Sequence, residues 1–509
     1  MDVLIGNGGA KVVIPVKLSL ALPLAVVAFG FGYFFWRCIY NLYLHPLHRF
    51  PGPKLSALSY YPYYRLLVSG VGYLTVMDLH MKYGPVVRIS PNSLSFSHPD
   101  AMNDIRGHRK AGQPEHPKEP MGREFHLKDI IGAERADHAR YRRSLANGFS
   151  YQAMLDQEPI IQEYIDQLME SIEKHSANGT QQIDMVRWFN YTTFDIIGDL
   201  SFGEPFGCLQ SSTYDPWVQL IFSTVKSLVH IAALKYLRII PRRILNYLMP
   251  YLMPKGLSTK HAENQRLSAM KVKKRLEANS TRPDFIASMT KSRNGESLTF
   301  EELTANASIL IIAGSETTAT VLSSAAYYLG LFPEAQAKLA HEVRTTFNSA
   351  QDITTTSVQH LKYMLAVINE VMRVHPAVVT GLPRVISEGG ATIAGEYVPE
   401  DTCVEVWQWP LFRNPKYWTQ PDDFIPERWL GDPKFANDRR ECFQPFSTGP
   451  RNCVGMNLAY SEMRLILARV ILKYDIKLAE GTEGWDSRSK VYLLWEKGPV
   501  NVYMIPRKI

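Results

Sequence analysis

Phe446-Ser447-Thr448-Gly449-Pro450-Arg451-Asn452-Cys453-Val454-Gly455, near the end of a 509-residue chain, is the stretch on which the reading turns. Its residue types suit a loop that holds a thiolate against a metal on the open side of a flat cofactor. Cys453 supplies the thiolate to iron, Gly449 and Gly455 let backbone N–H groups approach the sulfur and moderate its basicity, Arg451 can pair with a cofactor carboxylate, and Phe446 covers the sulfur. Met456 to Ala468 reads as a helix whose N-terminal dipole also favours a thiolate. The commoner fate of a lone cysteine is an inert, buried thiol in a turn. Here the pattern decides, since five specified positions match by chance below about 10⁻⁴ times in a chain this long.

Outward from that loop, 46% apolar and 11% aromatic residues are enough to bury a large cavity and exclude a small binding module or a disordered regulator. The net charge of +7 is too dilute for a nucleic-acid protein, so we expect one basic face and no nucleic-acid partner. Five scattered cysteines without Cys-x-x-Cys or Cys/His spacing point to neither a disulfide scaffold nor a zinc site, and to a reducing compartment.

Leu18 to Trp36 is nineteen residues without a charge, long enough to cross nearly the ~30 Å of a hydrocarbon core. Tyr33, Phe35 and Trp36 form an aromatic belt, and Arg37, His45, His48, Arg49 and Lys54 follow where only Lys11 and Lys17 precede. This asymmetry puts the following domain in the cytosol. The competing reading is a cleaved signal peptide, but the run is longer than such a peptide's apolar region and no small-x-small site follows it. We therefore expect a short lumenal segment (1–17), a single-pass anchor (18–36), a basic, proline-rich linker (37–54) and one catalytic domain (55–509). The sequons at Asn178, Asn190, Asn279 and Asn306 are then unused.

The domain reads mainly at helical period, without repeats or a dividing linker. Strands are expected at Val86–Ile89 with Leu94–Phe96, and at Ala391–Ile393 paired with Thr402–Trp407 across a Gly395 turn. A capping box, Thr299-x-x-Glu302, opens one long buried helix from Leu303 to Phe332, stopped by Pro333. A second membrane span is the alternative, but Glu316 among Asn306, Ser308, Ser315, Thr317 and Thr318 makes lipid exposure expensive.

The motif F-x-x-G-x-R-x-C-x-G resembles the haem-binding signature of the cytochrome P-450 family. The likeness extends from the anchor to the C-terminus and implies that family's fold: mainly α with small β-sheets. It implies haem b, iron protoporphyrin IX, with Cys453 as axial ligand and O₂ as cosubstrate. In Ala313-Gly314-Ser315-Glu316-Thr317-Thr318 the resemblance makes Gly314 the point where the helix thins and leaves room for dioxygen. It makes Glu316 and Thr317 the proton relay, while the thiolate pushes from the other side. The alternative for Glu316 is a salt bridge to a neighbouring arginine.

Glu370-Val-Met-Arg373 and Phe424-Ile-Pro426-Glu427-Arg428-Trp429 look like the family's ionic network, in which Glu370 holds Arg373 and Arg428 and pins the cysteine loop. His138 and Arg142, at i and i+4, stand where the family has Trp-x-x-x-Arg, and Arg384 resembles its later propionate arginine. Each is otherwise an exposed base. The substrate pocket is expected around Lys110–Ile131, Ile309–Thr317 and Ala377–Leu382. Leu234–Pro254, apolar with interleaved bases, suits either a membrane-interface segment or an amphipathic core segment.

Nothing resembles a nucleotide-binding loop, so electrons must come from another protein. The basic excess suits docking of an acidic donor on the face behind the cysteine, with Arg142, Arg143, Arg439 and Arg440 as candidate contacts, or else serves solubility alone; the resemblance implies that the donor is NADPH-cytochrome P-450 reductase, with cytochrome b5 as a further donor. The whole reads as an endoplasmic-reticulum monooxygenase that hydroxylates or epoxidises an apolar small molecule. The His45–Pro53 elbow and Phe194–Gly203 are similar to fungal secondary-metabolite oxidases, which suggests a terpenoid or polyketide. The alternatives are a haem-thiolate isomerase or dehydratase that needs no external electrons, and a non-catalytic haem- or lipid-binding membrane protein.

Overall fold

The computed structural model describes residues 3–5, 12–14, 16–110, 112–119, 128–236, 244, 247–248, 256–278, 282–290 and 297–507. Helix α1 (Val16–Ile39) carries the apolar run and continues as a π-helical turn over Tyr40–Leu44. Its side chains from Leu24 to Trp36 are exposed, so none of the described residues covers them. The proline elbow that follows is docked onto the domain. The Pro51 carbonyl accepts from Arg88 N–H at 2.8 Å, and the buried Arg88 guanidinium donates to the carbonyls of Asn41 (2.8 Å) and Pro91 (2.7 Å).

The domain is built around a single long helix. Among the described residues a second helix, Phe300–Leu331, is long and apolar enough to cross a membrane, but most of it is buried in protein. In chain order come α2 (Arg135–Ala146), α3 (Tyr151–Ser176), α4 (Met185–Phe202), α5 (Pro216–Tyr236), α6 (Leu257–Glu277), the long helix itself as α7 (Phe300–Leu331), α8 (Lys362–Val374) and α9 (Met456–Lys473); α4, α6, α8 and α9 pack on α7, while α3 packs on α4 and α9, and α5 on α6. The capping box is in place: Thr299 N–H donates to Glu302 Oε2 at 2.9 Å and Glu302 N–H to Thr299 Oγ1 at 3.3 Å. The Tyr141 hydroxyl (3.0 Å) and the Arg140 guanidinium (Nη1, 3.0 Å) also donate to that carboxylate and tie α2 to the start of α7. The expected helix, its start and its stop are all observed.

The main sheet holds β1 (Val86–Ser90) antiparallel to β2 (Ser93–Phe96), as expected. Next come β3 (Arg384–Val385), β4 (Ala391–Ile393), β5 (Glu396–Val398) and β6 (Cys403–Val406). One expectation is corrected here. Ala391–Ile393 pairs with Glu396–Val398, and Cys403–Val406 joins the main sheet, parallel to β2 and antiparallel to β3. Ala394 and Gly395 both have positive φ (50° and 81°), which closes a two-residue hairpin at once and leaves Cys403–Val406 to pair elsewhere. Of the sequons, Asn190 and Asn306 are buried inside helices, Asn178 is exposed and Asn279 lies outside the described residues.

Candidate functional site

The cysteine loop is closed by its own backbone. Cys453 N–H donates to the Phe446 carbonyl at 2.9 Å and Asn452 N–H to Gly449 at 3.1 Å. Gly449 has φ 77°, and a Cβ there would run into the Arg106 carbonyl, so only glycine lets the loop lie against that neighbouring backbone. The Phe446 ring packs on Tyr460 of α9 at 5.1 Å between centroids. Cys453 is surrounded by protein, yet its side chain has accessible surface, so it borders an enclosed space. Burial pushes its thiol pKa up, while the Gly455 N–H and Arg142 favour the thiolate.

Helix α7, on which α9 packs, shows the same kind of surface. Ala313 is exposed and Ile309 and Thr317 are half-exposed, although the helix around them is buried. Spaced four apart, these residues form one stripe. Thr317 Oγ1 donates to the Ala313 carbonyl at 2.7 Å, which keeps the hydroxyl on that stripe. The neighbouring positions turn elsewhere. A Cβ on Gly314 would meet Ile197 of α4 at 2.6 Å. The missing side chain admits Ile197, and α7 runs unbroken from Phe300 to Leu331. Glu316, buried and one residue before Thr317, is ion-paired with Lys497, which also donates to Thr320 Oγ1 at 2.8 Å. Burial holds Glu316 above the ordinary carboxylate pKa even with Lys497 beside it. Its Oε2 has no hydrogen-bond partner among the described residues.

Behind the loop, Glu370, Arg373 and Arg428 meet with side chains fully buried. Arg373 Nη2 is 2.8 Å and Arg428 Nε 2.9 Å from Glu370 Oε1. Sequence reasoning missed that Ile425 N–H and Trp429 Nε1 also donate to this carboxylate at 2.9 Å, and that Asp438 is the second partner of Arg428. Burial works against charge on Glu370, but Arg373, Arg428 and the Ile425 N–H outweigh it and hold the carboxyl below its usual range. The spare donors of Arg373 reach the carbonyls of Phe412, Pro421 and Asp423, so the network ties α8 to the segment that leads to the cysteine loop.

His138, Arg384 and Arg451 gather on the side of the loop nearest α2, together with Lys118, which sequence reasoning missed. Burial, then Arg451, Lys118, Arg142 and Arg384 push His138 down to about 4. Burial, then Arg451 and Arg384 push Lys118 down to about 7. Lys118 pairs with Arg384 through an isolated antiparallel bridge, and Arg451 pairs with Glu115 and donates to the Ala133 carbonyl at 2.9 Å. A cleft of about 420 Å³ lined by Lys118, Ser387 and Arg451 opens beside them. Cations that depress one another in this way fit a ligand carrying carboxylates, and an accessible yet enclosed thiol fits a metal at its centre. Arg142 lies on the same helix as His138, and its guanidinium donates to the Asn452 carbonyl and, at 2.7 Å, to Asn452 Oδ1. Of the expected donor contacts, Arg143 is exposed, Arg439 pairs with Glu441, and Arg440 donates to the Arg428 carbonyl. Residues 120–127 and most of 237–255, expected at the pocket and the membrane interface, lie outside the described residues.

The family model for cytochrome P450 matches residues 57–504. The chain is 51% identical to the trichothecene C-15 hydroxylase of Fusarium sporotrichioides over 482 residues, 94% of this chain and 97% of that one. It is 40% identical to the cytochrome P450 monooxygenase astJ of Aspergillus oryzae, covering 93% and 95% of the two chains, and 41% identical to the averantin hydroxylase of Dothistroma septosporum, covering 92% and 89%. The chain belongs to the cytochrome P450 family.

Proposed function

We propose that this cytochrome P450 monooxygenase is membrane-anchored and hydroxylates or epoxidises an apolar terpenoid or polyketide, with electrons from NADPH-cytochrome P-450 reductase. Its relatives are fungal monooxygenases of secondary metabolism, and the family implies haem with a cysteine thiolate and use of O₂. The observation that carries the reading is the closed loop that holds an accessible Cys453 in the domain bearing the Ile309, Ala313 and Thr317 stripe.

Bound haem supplies the activation of O₂. Cys453 is its iron ligand, and the buried Glu370 network holds the loop that carries it. Lys118, His138, Arg384 and Arg451 take the cofactor carboxylates. His138 offers a ring N–H as a hydrogen-bond donor and the others act as charges. Ile309 and Ala313 keep their stretch of the enclosed space apolar and exclude water. Thr317 Oγ1 offers a proton there, and Glu316 stands behind it as the replenishing acid when it leaves Lys497.

The exposed α1 supports an anchor in the endoplasmic-reticulum membrane, with the domain in the cytosol. The 51% identity to a trichothecene hydroxylase supports an oxygenated terpenoid as substrate. The test is turnover of sesquiterpenoid and anthraquinone candidates by the purified protein with reductase, NADPH and ¹⁸O₂. One ¹⁸O atom in the product, dependent on NADPH, is expected. A product formed without NADPH would instead support the isomerase reading.

A further inference from the structure

We infer that Asn306 is a specificity-determining residue of the substrate pocket: its side-chain amide pins the turn over residues 128–132 across one end of the accessible stripe of α7, as a preformed wall that a large ligand presses on and a small one does not. The inference rests on the monooxygenase reading above. Asn306 stands seven residues before Ala313, about 20° short of two full turns of helix, and is therefore on the face that Ala313 and Thr317 present. Those two keep accessible surface, whereas Asn306 on the same face has none. The turn lies over it.

The amide is used at both ends. Asn306 Oδ1 accepts from Ile130 N–H at 2.9 Å, and Nδ2 donates to the Lys128 carbonyl at 3.3 Å and to the Glu302 carbonyl, one turn back in α7, at 2.8 Å. One acceptor toward an N–H and two donors toward carbonyls match the amide's inventory. The turn is otherwise held by its own residues. Buried Asp129 takes Ile131 N–H and Gly132 N–H on Oδ1, each at 2.8 Å, and Ala133 N–H donates to the Asp129 carbonyl at 2.9 Å. The Ile130 N–H is left for an outside partner, and Asn306 supplies it.

A second link between the turn and α7, Lys128 with Glu301, joins two exposed side chains and holds little. Replacing Asn306 by an apolar residue would instead strand the Ile130 N–H and the Lys128 carbonyl, so the turn would lift toward solvent. A wall held in place before the ligand arrives spares a bulky ligand the cost of ordering it.

The test uses the full-length, haem-loaded protein as wild type, Asn306→Ala and Glu301→Gln. Two quantities are read: hydrogen exchange of the backbone amides of Ile130 and Ala133, and the dissociation constants of imidazole and of the bulky azole clotrimazole, which both ligate the iron and differ in size. Asn306→Ala is expected to speed exchange about tenfold and to weaken clotrimazole about fivefold, the scale of one or two lost hydrogen bonds, with imidazole unchanged. Glu301→Gln should match the wild type in both. Should Asn306→Ala not load haem, the wild type decides: saturating clotrimazole should slow exchange at Ile130 and imidazole should not.

Unchanged exchange in Asn306→Ala, clotrimazole bound as tightly as by the wild type or more so, or an equal loss for both azoles would overturn the wall. Equal exchange of the wild type under the two azoles would overturn it too. A wild-type protein without the thiolate-type Soret band would contradict the functional reading itself, whereas failure of the wall leaves that band in place.

Discussion

Thr317 and Glu316 are adjacent in sequence and do different things, because successive helical residues point about 100° apart. Thr317 holds its hydroxyl on the accessible stripe, and Glu316 is buried against Lys497. Thr317→Ala should therefore retain substrate binding and NADPH consumption but divert most turnover to hydrogen peroxide, measured as peroxide per NADPH. Unchanged coupling would remove Thr317 from the proton path. Glu370 is the opposite kind of residue, with every contact internal. Arg428→Ala should destabilise the domain by about 3–5 kcal/mol, because it leaves a buried carboxylate short of a partner. Denaturant unfolding measures this. The depressed carboxyl pKa of Glu370 adds stability that is present above the ordinary carboxylate value and lost as pH falls through the folded one.

At the scale of elements, α7 meets α9 through a buried polar contact that the proposed mechanism does not use. Glu462 of α9 bonds Thr318 of α7, and burial raises its carboxyl to about 8. Burial likewise raises Glu405 in β6 to about 7, against hydrogen bonds from Trp407 at 2.7 Å and Tyr63 at 3.1 Å. A carboxyl held protonated by the fold binds more protons folded than unfolded, so its contribution is complete below about 4.5 and declines as pH rises toward 7–8. Glu462→Gln should raise the thermal midpoint at pH 8 by roughly 2–4 °C and change it little at pH 4.5. Equal shifts at both pH values would contradict the raised pKa.

What was legible at this scale follows from what is local. The capping box, the long helix and the cysteine turn are written in residues a few positions apart, and all are observed. The partner of β4 was misread because two positive-φ residues close a hairpin that the alternation of apolar residues does not reveal. The packing of Ile197 against Gly314 was not legible, because it comes from a different helix. Lys497, Asp438 and Asn452 went unseen because charge and amide groups carry no periodic signal, and their partners are fixed only by folding.

For the whole molecule, the apolar N-terminal helix and the domain are joined by chemistry as well as by chain. Arg88, buried in β1, relies on the Asn41 carbonyl at the end of the apolar helix. Truncation of residues 1–36 should free the domain from the membrane and spare its thermal stability. Truncation through Leu44 should lower the midpoint, because it removes a partner from a buried guanidinium. Membrane fractionation and a melting curve for each form check the pair, and equal midpoints would show that the junction carries no stability.

In the proposed function the basic cluster of Lys118, His138, Arg384 and Arg451, the Glu370 network and the closed loop all serve one geometry, a cysteine sulfur presented to iron. The most direct measurement is the visible spectrum of the reduced protein under carbon monoxide, for the wild type and Cys453→Ser. The account predicts the far-red-shifted Soret band of a thiolate ligand in the wild type and its loss in the variant. A histidine-type spectrum in the wild type, or the shifted band surviving in Cys453→Ser, would contradict it.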